Sequence, residues 1–248
     1  MIKIQLYARR EIKMEDTYTI LVADDDKEIV KVLSRLLELE GYKAVPAYNG
    51  MEALERLTEE TVHLILLDVM MPKLDGLSTL MEVRRKKNIP VIILSAKTEE
   101  SDKVLGLSMG ADDYVAKPFQ TAELMARIRS QLRRYMTLGD VNRQESKDSR
   151  ICTGGLILDL NGKELFVDGE KIKLTATEYK ITEFLMRHLG QVFSAEEIYA
   201  KVWNEEAYAV ENTVMVHIRR IREKIEIDTK NPKYLKVVWG IGYKMEKI

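Results

Sequence analysis

The sequence predicts an α/β domain built on a doubly wound, five-stranded parallel sheet, followed by a smaller α+β domain. Three observations carry this. Apolar runs and amphipathic helical patterns alternate five times between residues 18 and 136, as in a parallel sheet covered on both faces. The grammar then changes to period-two alternation broken by NG and DG turns, which marks antiparallel strands. A length of 248 residues sits near the limit of a single core and suits two domains.

In the first domain, strands are read at YTILVA (18–23), YKAVPA (42–47), LILL (64–67), PVIIL (90–94) and YVA (114–116). Helices are expected between them near 27–40, 50–60, 76–87 and 99–109, and after them near 121–135. Residues 137–150, TLGDVNRQESKDSR, show no apolar periodicity and read as a linker between domains over 18–136 and 151–248. GLILDL, KELFV and KIKL open the second domain as strands. Helices follow near 176–189, 194–203 and 211–226, and a hairpin over 235–246 ends it. Residues 1–13 fit neither domain. Met14 opens a natural-looking MEDTYTILVADDD, so the residues before it are expected to stem from an upstream start codon or from cloning.

An apolar fraction of 46% excludes wholesale disorder. No run approaches the ~18 uncharged apolar residues of a membrane span, and the N-terminal stretch lacks a signal peptide's apolar region. The lone Cys152 cannot form an internal disulfide, nor a structural zinc site with three scattered histidines. A soluble, cytoplasmic protein without membrane association is expected.

Reactive groups in such sheets gather past the carboxyl ends of the strands. The first strand ends in Asp24, Asp25 and Asp26, and the third ends in Asp68. Strands one and three are neighbours in a common doubly wound order, which brings Asp68 close to Asp24 and Asp25. Carboxylates this close repel unless a cation joins them, and a hard ion such as Mg²⁺ fits. Ser95 ends the fourth strand and Lys117 follows the fifth, a hydroxyl and an ammonium suited to an anion with several oxygens. Taken singly, each residue is equally well a helix cap or a snorkelling lysine. Taken together, they describe phosphoryl capture as an aspartyl phosphate.

ILVADDD, LILLDVMMPKLDG, VIILSAK and GADDYVAKPF resemble the motifs of two-component response regulator receiver domains, which have a flavodoxin-like fold. The resemblance implies that Asp68 accepts phosphate from a sensor histidine kinase. It implies Asp24, Asp25, Asp68 and the Met70 backbone carbonyl as Mg²⁺ ligands, Ser95 as the switch hydroxyl, Lys117 as the phosphate-binding lysine and Tyr114 as an aromatic switch. The family more often has Glu at position 26 and Thr at 95. Asp26 and Ser95 keep the carboxylate and the hydroxyl. Met70 cannot position water as an amide would, so slow self-dephosphorylation is expected.

Lys103, Asp112, Asp113, Glu123, Arg127 and Arg134 are read as charges carried by the fourth and fifth helices among otherwise apolar positions. Such a set is usually a solvated face with little energy in its pairs. It is similar, however, to the dimerisation surface of the OmpR/PhoB subfamily, which implies pairs Lys103–Glu123, Asp112–Arg127 and Asp113–Arg134 across a homodimer formed on phosphorylation. Charges of this kind set register and partner choice.

Residues 151–211 hold 6 Lys/Arg against 11 Asp/Glu, and residues 212–248 hold 9 against 4, so the basic tail is the part fit to face phosphates. In ENTVMVHIRRIREKIE, residues Val214, Ile218, Ile221 and Ile225 form a buried stripe. The opposite face presents Asn212, Thr213, Val216, Arg219 and Arg220, with His217, Arg222 and Lys224 on its flanks. A helix with such a face can enter a major groove, though a solvated or protein-binding helix would look alike.

TATEYKITEFL, VHIRRIREKI and VVWGIGYKM resemble, in order, the winged helix-turn-helix of OmpR/PhoB-type regulators. That resemblance places Thr213, Val216 and Arg220 against bases, and Trp203, His217, Arg219, Arg222 and Tyr243 at or near the DNA backbone. The hairpin becomes a wing. Trp239 stands where most of the family has an arginine, so wing readout departs from the family; NPKYLKVVWGIGYKMEK resembles the VanR branch, which shares this tryptophan. The resemblance implies a phosphorylation-controlled transcription regulator rather than an enzyme, with a sensor kinase, double-stranded promoter DNA and RNA polymerase as partners. One rival is a Mg²⁺-dependent aspartyl-phosphate phosphatase, disfavoured because Met70 stands where a second acid/base carboxylate is needed. Another is a DNA-binding protein indifferent to phosphorylation.

Overall fold

The structure, a computed structural model, describes residues 18–96, 100–139, 149–203 and 211–248. The segment 1–13, assigned above to neither domain, and most of the expected linker lie outside the described residues.

The first domain alternates β1 Thr19–Ala23, α1 Lys27–Leu39, β2 Lys43–Ala47, α2 Gly50–Glu59, β3 Leu64–Asp68, α3 Gly76–Lys86, β4 Val91–Ser95, α4 Glu100–Ser108, β5 Asp113–Ala116 and α5 Thr121–Gly139. All sheet pairings are parallel, in the order β2-β1-β3-β4-β5. Strand side chains divide at period two, and both halves are buried. Leu21, Ile65, Leu67 and Ile93 pack beneath α2, α3 and α4, whereas Ile20, Val22, Leu64, Leu66 and Ile92 pack beneath α1 and α5. The strands therefore read as continuous apolar runs. Asp26 caps α1 through the amides of Glu28 and Ile29, and Asp75 caps α3 through that of Ser78. Helix α5 continues to Gly139, three residues into the expected linker.

The second domain begins with a strand that the sequence reading did not include, β6 Arg150–Thr153, paired antiparallel with β7 Leu156–Asp159. Its residues, Arg-Ile-Cys-Thr, place two apolar side chains in succession and follow a charged segment, so no alternation marks it. β8 Glu164–Val167 and β9 Glu170–Ile172 complete the sheet. Helices α6 Ala176–Met186, α7 Ala195–Trp203 and α8 Glu211–Ile225 follow, then the hairpin β10 Leu235–Val238 and β11 Gly242–Met245. Thr175 and Glu178 form a capping box that starts α6. The core gathers Leu156, Leu165, Ile181, Leu185, Ile198, Trp203, Ile218 and Ile221.

The domains pack directly on one another, α8 against α4 and α5 against α6. Among the described residues, no helix is long and apolar enough to cross a membrane.

Candidate functional site

The parallel register brings the expected strand ends together. β1 and β3 are adjacent, and carboxylate oxygens of Asp24, Asp25 and Asp68 lie within 4.8 Å of one another. Asp24 and Asp68 are buried, and Asp25 is exposed at the rim. Across the pocket, the Lys117 amide donates to the Ser95 carbonyl at 2.7 Å, which carries its side chain over the acidic group. Lys117 Nζ donates to Asp24 Oδ2 at 2.5 Å and to Asp68 Oδ1 at 2.7 Å. The Met70 amide donates to Asp68 Oδ2 at 2.6 Å. Ser95 is fully buried at the end of β4, and Tyr114 is buried in β5.

The loop after β3 is tightly folded. The Gly76 amide donates to the Val69 carbonyl at 3.0 Å, and a Cβ on Gly76 would stand 2.0 Å from the Asp68 carbonyl oxygen. Lys73, at φ 66°, turns the chain in the left-handed region. Asp26 serves as the α1 cap rather than joining the cluster.

Burial pushes the Asp68 carboxyl above the ordinary carboxylate range, overcoming the lowering by Lys117. Burial would lower Lys117, but its hydrogen bonds to Asp24 and Asp68 and their charges outweigh it and hold the ammonium protonated. Three clustered carboxylates, one reaching solvent, form a donor set of hard oxygens suited to a small divalent cation that keeps water ligands.

The charges expected at a dimer surface are largely engaged inside the chain. Asp112 is buried, bound to Arg84 Nη2 at 2.6 Å, the Val91 amide at 3.0 Å and Thr177 Oγ1 of α6 at 3.1 Å. Arg127 pairs with Asp113 and Glu123 and donates to the Tyr199 hydroxyl of α7 at 3.2 Å. Asp113 keeps the Arg127 guanidinium more firmly protonated than usual. Arg134 is buried, donating to the Val202 carbonyl at 3.1 Å and lying over the Trp203 ring. Ser130 Oγ donates to the Trp203 carbonyl at 2.6 Å. Glu123 is exposed, and the side chain of Lys103 lies outside the described residues.

Helix α8 buries its expected stripe, Val214, Ile218, Ile221 and Ile225, and part of the opposite face as well. That is a correction to the sequence reading, which left this face free. Val216 is 2% exposed and sits in the first domain's cluster with Leu107, Ala111 and Tyr114. Arg220 Nη1 reaches the Leu107 and Ala111 carbonyls at 3.4 Å each, and its Nη2 pairs with Glu178 at 2.8 Å. His217 is fully buried 5.6 Å from the Trp203 ring, and neither ring nitrogen has a hydrogen-bond partner among the described residues. Periodicity locates the stripe a helix turns to its own core, but it carries no information about a second domain covering the other side.

Trp203, expected near DNA phosphates, is wholly inside the core and stacked on Tyr199. Arg222 Nε donates to the Leu235 carbonyl at 2.7 Å, tying α8 to the hairpin. Thr213 is half-buried, and Arg219 is exposed and paired with Glu223. Tyr243 bridges to Phe193 through the backbone. Trp239 stands 91% exposed at the hairpin tip beside exposed Ile241.

Sequence reasoning missed Arg84, Ser130, Thr177, Glu178 and Tyr199. Glu178 is fully buried between Arg220 and Lys224, whose charges override burial and keep it ionised. The T-x-x-E spacing signals its cap, but nothing local signals its ion pairs. The others serve contacts between distant segments and carry no local pattern.

Comparison with known proteins agrees in both halves. Residues 20–129 match the response regulator receiver domain, and residues 169–245 match the C-terminal domain of transcriptional regulatory proteins. The regulatory protein VanRc of Enterococcus gallinarum is 41% identical over 233 residues, covering 92% of this chain and 98% of the relative. VanR of Enterococcus faecium is 39% identical over 229 residues, with the same coverage. Among solved structures, the Thermotoga maritima OmpR/PhoB homologue DrrB is 31% identical with a TM-score of 0.50. A RitR mutant is 25% identical with a TM-score of 0.72, and each match covers 93% of this chain and all of the other.

Proposed function

Because the chain belongs to the response regulators, in the VanR-like branch that joins a receiver domain to an OmpR/PhoB-type transcriptional-regulatory domain, we propose that it is a phosphorylation-controlled switch on promoter DNA. Asp68 takes a phosphoryl group from the phosphohistidine of a sensor kinase. A carboxylate oxygen of Asp68 attacks phosphorus, the N–P bond breaks, and the imidazole leaves. Lys117, now shared between Asp24 and Asp68, turns its ammonium to the incoming phosphoryl oxygens, and Ser95 donates its hydroxyl to another. Asp24, Asp25, Asp68 and the Met70 carbonyl would hold Mg²⁺, which supplies charge neutralisation for the phosphoryl oxygens. The phosphorylated chain dimerises through the surface of α4, β5 and α5, and α8 of each copy enters a major groove.

One observation carries this reading. A protonated lysine is wedged between two buried aspartates at the strand ends, with a third carboxylate alongside. The test is intact mass and sedimentation after treatment with acetyl phosphate and Mg²⁺, on wild type and Asp68→Asn. One phosphoryl adduct with dimer formation is expected in the wild type, and neither in the variant. An adduct of equal yield in both would refute Asp68 as the acceptor.

A further inference from the structure

Over the whole chain the charges balance, 39 Lys and Arg against 40 Asp and Glu, but in one cleft they do not. Helix α5 of the first domain and helices α6 and α7 of the second enclose a cavity of about 500 Å³. Among the described residues, none that lines it belongs to the acidic pocket or to α8. Arg133 and Arg134 reach it from α5, Lys180 and Glu183 from α6, Arg187 from the cap of α6, and Lys201 from α7. Five cations thus share the cleft with one carboxylate. That carboxylate is divided between two of them, since Glu183 pairs with Lys180 at 3.0 Å and with Arg187 at 2.9 Å. Burial pushes the Glu183 carboxyl up, but its bonds from Arg187 and Lys180 outweigh burial and keep it ionised. The cleft keeps an excess of four positive charges.

A basic helix face is ordinarily solvated, with its side chains splayed apart to lower their repulsion. Here the cations line one concavity, where like charges between low-dielectric walls focus their field on whatever enters. Arg134 is also fixed in place. It is 3% exposed, its Nη1 donates to Ser130 Oγ at 2.9 Å and to the Val202 carbonyl at 3.1 Å, and it lies over the Trp203 ring. Its charge stands at the wall before any ligand arrives, which spares the cost of ordering it. Arg133 and Lys201 are exposed and come from different helices, so they can grip an anion from two sides. The same cavity has an apolar wall, Phe184 and Val202. The half-buried Phe184 ring is held by Phe193 at 4.6 Å and by His188 at 5.0 Å. A rigid ring beside clustered cations suits a ligand with one flat apolar part and one polyanionic part. The volume is in the range of small-ligand sites. We propose that this cleft binds a nucleoside polyphosphate, its phosphates held by Arg133, Arg134 and Lys201 and its base laid on Phe184. A DNA duplex, which presents its phosphates on a convex surface, does not fit a cleft walled by three helices. The site gives the chain a second, non-covalent input besides the phosphoryl group.

The test is isothermal titration calorimetry on the full-length chain at low salt, with ATP, GTP and inorganic triphosphate as probes. EDTA is present, so that no metal in the acidic pocket recruits phosphate. Both nucleotides are expected to saturate a single site, because stacking tolerates either base, and triphosphate to bind more weakly. Arg133→Ala with Lys201→Ala changes two exposed side chains and should leave the fold intact, as circular dichroism checks. That double variant should bind ATP about tenfold or more less tightly, the loss expected for two charge-assisted contacts. Phe184→Leu should weaken ATP binding and leave triphosphate binding unchanged. Absence of saturable binding by any probe, or equal affinity in wild type and the double variant, would overturn the site. Triphosphate binding as tightly as ATP would overturn the base contact. A double variant that loses affinity for a mixed-sequence duplex, in a chain that never binds ATP, would assign these cations to a DNA backbone and overturn the proposal.

Discussion

His217 gives the packing of α8 a measurable pH dependence. Burial, with Arg220 nearby, pushes its pKa down to about 4, against the opposing pull of Glu178, Asp112 and Asp113. In the unfolded chain the imidazole titrates near ~6.5. The folded form therefore holds a neutral ring while the unfolded form takes up a proton. The stability contribution is fully present above the unfolded pKa and drains away as pH falls from ~6.5 towards the folded value. At pH 5 the loss is about 2 kcal/mol, and it approaches about 3 kcal/mol once pH is below both values. His217→Leu removes both the titration and two unpartnered buried nitrogens, so it should raise stability at pH 7 by roughly 1–2 kcal/mol. The reporter is built in: Trp203 is buried beside His217, whereas Trp239 is already exposed in the folded chain. Urea unfolding followed by the red shift of Trp203 emission, at about pH 7, 6 and 5, which runs from just above the ordinary imidazole titration to well below it, gives the two slopes. Wild type should lose about 2 kcal/mol more than the variant over that range. Parallel pH slopes in the two proteins would refute the buried neutral imidazole.

Gly76→Ala drives a methyl group into the Asp68 carbonyl, a backbone group that cannot swing aside as a side chain would. It should cost 1–3 kcal/mol or more by overpacking and lower the phosphorylation rate, read by thermal unfolding and intact mass. Glu178→Ala leaves Arg220 and Lys224 without their buried anion and should cost about 3–5 kcal/mol by urea denaturation; a loss below about 1 kcal/mol would mean that the ion pairs are solvent-screened. Trp239→Ala, at an exposed hairpin tip, should leave stability within about 0.5 kcal/mol, because it removes no buried contact. It should weaken DNA binding without altering the sequence chosen in a site-selection library. Exposed Met70 offers no amide to orient water, so the phosphoryl group on Asp68 should persist for minutes or longer, and decay within seconds would contradict this.

The acidic pocket was legible because parallel strands deliver their ends to one edge. Strand-terminal Asp24, Asp68, Ser95 and post-strand Lys117 become neighbours once the order β2-β1-β3-β4-β5 is known. The receiver sheet was equally legible, since strands buried on both faces must be apolar throughout. β6 escaped notice because Arg-Ile-Cys-Thr sets two apolar residues side by side and so shows no period of two.

What the sequence by itself determined is therefore local and periodic: the elements, the sheet class, the acidic edge of the parallel sheet and the stripe that α8 turns to its own domain. Only the tertiary structure decided what covers the rest of α8 and which partners Asp112, Arg127 and Arg134 take. The same charges serve a solvated face, a dimer or an intramolecular clasp with identical spacing. The choice among these depends on how two domains, joined through a linker, come to rest against each other. That is settled by complementarity between surfaces far apart in the chain, to which no local pattern is sensitive.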